Sequence, residues 1–108
     1  MILTKDKILN SFRQAAKISD QICVDILPFI KQGVTELEIE KNIIRLAKEQ
    51  GCPHLSFKTL VASGVRSALP HGRPTKKKLQ QGEFVFIDFG VKVNGYCSDI
   101  TRTFIIGA

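Results

Sequence analysis

The chain has 108 residues, of which 44% are hydrophobic and 24% charged, with 16 Lys and Arg against 10 Asp and Glu. That length admits one small domain, and those fractions exclude a low-complexity or disordered chain. The net charge of +6 is spread along the sequence, and its densest run, Arg73 to Lys78, is broken by Pro74 and Thr75; a solvated basic loop explains it better than a nucleic-acid partner does.

The cysteines, Cys23, Cys52 and Cys97, are odd in number and form no CxxC. A disulfide scaffold or structural zinc site is therefore not expected, and free thiols in a reducing compartment are. No run approaches the ~18 apolar residues of a membrane span. The first residues, Met-Ile-Leu-Thr-Lys-Asp-Lys, lack the apolar core of a signal peptide. A cytoplasmic protein with no membrane partner is the expectation.

In chain order, the first element is a helix. Ile8, Phe12, Ala15, Ala16, Ser19, Ile22, Cys23, Ile26, Leu27 and Ile30 recur at three- and four-residue steps, which makes one apolar stripe. Thr4 or Asp6 suits its start and Gly33 the left-handed position past its end, with Pro28 expected to kink the last turn. Thr35-Glu-Leu-Glu38 then has the form of a capping box. It opens a second helix with Ile39, Ile43, Leu46 and Ala47 on one face, ended by Gly51.

The period then changes. Phe57 to Ala62 reads as a strand, and residues 63–82, rich in Gly, Pro and basic residues, read mainly as loop. Glu83 to Val93 and Tyr96 to Ile106 read as two further strands. Asn94-Gly95 between them is the strongest short-range hairpin signal.

Two aspartates interrupt these apolar strands: Asp88 in Phe-Ile-Asp-Phe-Gly and Asp99 in Cys-Ser-Asp-Ile-Thr-Arg. Taken singly, each could cap a turn or pair with Arg102 or Lys92. A two-residue Asn94-Gly95 loop, however, sets Val93 against Tyr96, Gly90 against Asp99 and Asp88 against Thr101. Side chains alternate along a strand, so Asp88 and Asp99 fall on one face as diagonal neighbours. A one-residue bulge would undo that parity. Two carboxylates held together repel, and a hard divalent cation removes the repulsion. They do not by themselves complete a catalytic metal site. His54 and His71, the only histidines, both lie outside the hairpin.

Several segments resemble the Xaa-Pro aminopeptidases, which belong to the pita-bread metallopeptidases together with the methionine aminopeptidases. They are Phe29-Ile-Lys-Gln-Gly-Val-Thr-Glu-Leu-Glu38, Val61-Ala-Ser-Gly64, Ser67-Ala-Leu-Pro-His-Gly72, Gly82 to Gly90, and Gly95 to Phe104. The likeness runs from about residue 9 to 107, with Glu83 where the family usually has Asp. It implies an α+β architecture: half of a pita-bread fold, with two helices packed on an antiparallel sheet that carries a β-hairpin. Residues 1–108 would form the N-terminal half of the catalytic domain, the C-terminal half being absent.

The resemblance further implies two divalent metal ions, manganese or cobalt, that hold a bridging hydroxide for attack on the peptide carbonyl. Asp88 would chelate one metal, Asp99 would bridge both, and His71 would hydrogen-bond near the scissile peptide. His54 matches no ligand. The implied substrate is a peptide with proline at the second position. The family's other ligands, one His and two Glu, lie beyond Ala108, so the chain alone is expected to be inactive and either to self-associate or to require its C-terminal half. A prolidase-type dipeptidase and a methionine aminopeptidase are neighbouring alternatives. A metal-free pita-bread module that binds other proteins is an alternative of another class, opposed by the retention of Asp88, Asp99 and His71.

Overall fold

A computed structural model describes residues 5–68 and 72–107. Helix α1 spans Lys5–Asp25 and buries Ser11, Ala15, Ile18, Ser19 and Ile22 along one stripe. Asp6 lies inside its first turn rather than at the cap, and Thr4 is outside the described residues. The helix does not continue to Ile30 with a kink. It stops before Pro28, and Leu27–Phe29 forms a separate 3-10 turn. Pro28 has no N–H to donate to the carbonyl of Val24, and its ring would crowd that carbonyl. Gly33 has φ +89° but does not cap α1; its N–H donates to the carbonyl of Leu79 at 2.9 Å.

Helix α2 spans Glu36–Glu49 and buries Ile39, Ile43, Leu46 and Ala47. Its first amides are all accounted for. Glu36 N–H donates to Lys77 O at 3.0 Å and Leu37 N–H to Thr75 O at 3.1 Å. Glu38 N–H donates to Thr35 Oγ1 at 3.1 Å. Glu38 also reaches back, but its Oε1 accepts from the Thr35 hydroxyl at 3.1 Å, whereas a full capping box uses the Thr35 backbone N–H. Residues 75–79 thus run beside residues 33–37, with Thr35 bridged to Lys78 and Leu79 buried. The basic segment is only partly the solvated loop expected. Lys76 and Lys78 are exposed, but Lys77 pairs with Glu83 at 2.6 Å and Arg73 with Glu40 at 3.0 Å.

Five strands follow: β1 Leu60–Ser63, β2 Phe84–Phe89, β3 Lys92–Val93, β4 Tyr96–Cys97 and β5 Ile100–Ile105. The main sheet is antiparallel in the order β1-β2-β5, and β3 and β4 form a separate ribbon. The first strand begins at Leu60 rather than Phe57, and a 3-10 turn, Gly64–Ala68, follows it. The strands expected at 83–93 and 96–106 are each broken in two. Asn94 and Gly95 both have positive φ, 51° and 82°, which is the type I′ turn that such a dipeptide favours.

Val85, Ile87, Phe89 and Ile100 face the helices and join Ile22, Ile39 and Ile43 in one core, with Phe104 packed against it. Phe84, Phe86 and Asp88 alternate onto the other face, which is less covered. The β3–β4 tip lies against α1: Phe12 and Tyr96 have ring centroids 4.9 Å apart, and Asn94 Nδ2 donates to Ser11 Oγ at 3.0 Å.

Candidate metal centre

The β2–β5 pairing puts Asp88 opposite Thr101 and Phe89 opposite Ile100. Across the break, Val93 remains opposite Tyr96 and Lys92 opposite Cys97. Both strands therefore lose the same number of residues at the interruption, and the parity expected from the hairpin survives. Asp88 is on the face away from the helices. Asp99 lies in the break, between β4 and β5.

The two carboxylates meet. Burial raises the pKa of Asp88, the hydrogen bond and charge of Asp99 raise it further, and the Thr101 hydroxyl offsets this in part, leaving the group at about 6. Asp88 Oδ1 is buried and has no hydrogen-bond partner among the described residues. Such an oxygen is costly unless something positive approaches it. No described cation does. Arg102 is opposite Ile87, hence on the helix face, 3.8 Å from Asp20, and Lys92 is exposed on the separate ribbon.

His71 lies outside the described residues. Gly72, its neighbour in sequence, accepts from Val61 N–H at 2.8 Å. A Cβ placed on Gly72 would come 2.7 Å from that of Ala62. β1 pairs with β2 on its other side, and Ala62 is opposite Phe86, so Gly72 lies along the free edge of β1, beside the face that carries Asp88. His54 is exposed, in keeping with a surface role.

Three features escaped the sequence reading. Glu36 is fully buried. Its Oε2 accepts from Ser63 N and Oγ at 2.9 and 2.8 Å, and its Oε1 from Thr75 N and Oγ1 at 3.0 and 2.8 Å. Arg66 Nε adds a fifth contact at 3.3 Å. Burial pushes this carboxyl up, but the Ser63 and Thr75 hydrogen bonds outweigh it and hold the pKa below the ordinary value. Ser56 and Ser98, at the strand break, are the second feature, and the close approach of backbone at Gly90 is the third. In the sequence the only signals were a Glu inside a capping box, a Ser adjoining Asp99 and a Gly ending an apolar strand.

Two carboxylates, one with an unmatched buried oxygen, form a donor set suited to a hard divalent cation. Among the described residues there is no cluster of three or more His, Cys, Asp or Glu that could hold a metal, so the fit is to part of a site.

Comparison with known proteins agrees with this chemistry. Residues 10–108 match metallopeptidase family M24. An uncharacterized peptidase of Bacillus subtilis is 39% identical over 106 residues, covering 98% of this chain and 30% of that protein. A putative Xaa-Pro aminopeptidase of Mycoplasma genitalium is 41% identical over 99 residues, 92% of this chain and 28% of the relative. Among solved structures, a Xaa-Pro dipeptidase from Bacillus anthracis superposes with a TM-score of 0.91 at 44% identity, covering 99% of this chain and 30% of its own. The prolidase from Pyrococcus furiosus gives 0.89 at 38%, with 99% and 32% covered. The chain thus spans about 30% of the length of the relatives it matches, and its fold is the corresponding part of the pita-bread prolidases. Helices and sheet, carboxylate pair and sequence match agree: the chain belongs to metallopeptidase family M24.

Proposed function

We propose that this chain is the N-terminal half of a pita-bread catalytic domain in a metal-dependent aminopeptidase that removes the residue ahead of proline. The observation that carries the reading is the pairing of Asp88 with Asp99, one of them with a buried oxygen that no described donor satisfies. The names of relatives, among them a putative Xaa-Pro aminopeptidase and an X-Pro aminopeptidase from Thermotoga maritima, support the substrate class. A prolidase-type dipeptidase is the second reading, supported by relatives named Xaa-Pro dipeptidase and prolidase.

In this reading Asp88 and Asp99 would hold the divalent metal, with manganese or cobalt as the ion. Bound divalent metal supplies Lewis-acid polarisation of a carbonyl and lowers the pKa of water. The open face of the sheet around Asp88 receives the N-terminal end of the peptide. His71, next to Gly72 in sequence, would donate a hydrogen bond near the scissile peptide. The remaining ligands come from sequence beyond residue 108, and the 108-residue chain alone is inactive in the cytoplasm.

The test is hydrolysis by the protein that carries this chain in its continued reading frame, with Mn2+ supplied. Cleavage of a Xaa-Pro tripeptide, abolished by Asp99→Asn, is the expected result. Cleavage of Xaa-Pro dipeptides alone would select the dipeptidase reading, and no metal-dependent cleavage of either would reject both.

A further inference from the structure

At the break between the two ribbons the hydrogen-bond ladder is rewired. In a regular antiparallel ladder a hydrogen-bonded pair such as Val91 and Ser98 would exchange both N–H···O bonds. Only half of that exchange is present: Ser98 N–H donates to Val91 O at 2.9 Å. The return bond goes instead from Val91 N–H to the Ser98 side-chain oxygen, Oγ, also at 2.9 Å. The carbonyl of Ser98 has left the ladder. It lies over Gly90, where an added Cβ would be 1.9 Å away, and Ser56 Oγ stands 3.1 Å from it and 2.8 Å from Val91 O. Ser56 also ties its own N–H to Gly90 O at 2.9 Å.

With Ser19 Oγ donating to Ala15 O at 3.0 Å, Ser98 Oγ donates to Ser19 Oγ at 2.6 Å; with Ser19 Oγ donating to Ser98 Oγ instead, the Ser98 proton goes to Val91 O at 3.4 Å. In either case Ser98 Oγ accepts from Val91 N–H and is hydrogen-bonded to Ser19 on α1. Every group freed from the ladder is satisfied by a serine, as buried polar groups require.

The displaced carbonyl belongs to the peptide whose other end is the amide of Asp99. We propose that Ser98 and Ser56, backed by Ser19 and given room by Gly90, are positioning residues that rotate the Ser98–Asp99 peptide and so aim the Asp99 carboxylate at Asp88. The assignment rests on the metal reading above. Ser98 faces α1 while Asp99 faces the open side, so the latch acts from behind the metal-facing surface and touches neither metal nor substrate. Outer partners of this kind typically carry 10–100-fold in metal affinity.

The test uses the protein that carries this chain in its continued reading frame, with Mn2+ as the probe. Residual dipolar couplings report the orientation of the Asp99 N–H, and paramagnetic broadening reports Mn2+ at Asp88 and Asp99. In Ser98→Ala and Ser56→Ala the Asp99 coupling is expected to change while those of α1 and β2 do not, and Mn2+ affinity is expected to fall about tenfold. Ser98→Thr, which keeps the hydroxyl, is expected to retain both; if Ser98→Ala does not fold, Ser56→Ala and Ser98→Thr carry the comparison. An unchanged coupling and affinity in the alanine variants overturns the latch. An unsubstituted full-length protein with no Mn2+ broadening at Asp88 and Asp99 overturns the metal reading itself, and the latch's role with it.

Discussion

Asp88 and Glu36 are both partly or wholly buried carboxylates, and their surroundings drive them in opposite directions. Asp88 is raised from 3.8 to about 6. Between those values the folded chain binds more protons than the unfolded one, so this group makes stability fall as pH rises from about 4 to about 6. Glu36 is lowered. Its contribution is present above the ordinary carboxylate range and is lost as pH falls through its depressed value. Asp88→Asn removes the first penalty. We expect it to stabilise the metal-free chain by on the order of 1 kcal/mol at pH 7, after discounting the shift for solvent screening, and to change little at pH 4. Denaturant titrations at the two pH values check this, and equal stability of parent and variant at pH 7 would contradict it. In the same variant Mn2+ binding is expected to disappear, so the gain in stability and the loss of metal go together.

At the scale of elements, Glu36 links the start of α2 to the end of β1 and to the segment returning at Thr75. Glu36→Ala would leave the Ser63 and Thr75 amides and Arg66 Nε without their acceptor. Removing one partner of a buried charged network costs about 3–5 kcal/mol, a large share of the ~5–15 kcal/mol of a small domain. The expected result is a melting temperature lower by about 15 °C or more, with Glu36→Gln losing less because an amide can still accept some of these bonds. Gly90→Ala is the second expectation. Its Cβ would collide with the backbone of Ser98, which cannot move without breaking the bonds around it, so a loss of more than about 2 kcal/mol should appear in thermal unfolding.

These two positions also mark where sequence reasoning ran out. The register of Asp88 and Asp99 was legible because Asn94-Gly95 dictates a two-residue turn and the break removes equal lengths from both strands. The break itself was not legible. Serine hydroxyls replacing ladder groups leave no periodic trace, since Ser56 and Ser98 are 42 residues apart. The end of α1 was hidden for a different reason: the apolar stripe runs on through Ile26 and Leu27, and only the backbone demand of Pro28 separates the 3-10 turn from the helix. Glu36 read as part of a capping box because its partners, Ser63 and Thr75, come from elements whose contact with α2 no local pattern encodes.

For the whole molecule, the open face of the sheet decides behaviour in solution. Phe84 is 54% exposed and Ile105, directly opposite it, 49%. Phe86 and Thr103 continue the same face toward Asp88 and Thr101. Gly72 lies against Ala62 at the β1 edge, away from the β2–β5 end where Phe84 and Ile105 stand. Apolar burial is worth about 25 cal/mol per Å², and cover on this side would therefore be favoured. A second copy is the occupant expected for the isolated chain, because a two-fold pairing buries the same patch on both partners. Charge limits that pairing. Asp88 and Asp99 of the two copies would approach one another, so association is expected to strengthen at pH below about 6, where Asp88 is protonated, and with Mn2+ present. Sedimentation velocity at micromolar concentration should show a reversible dimer that Phe84→Ser weakens, because the serine removes the largest exposed apolar group at the bare end without touching the core. A parent chain that stays monomeric at both pH 5 and pH 7, with and without Mn2+, would show that this face needs no partner.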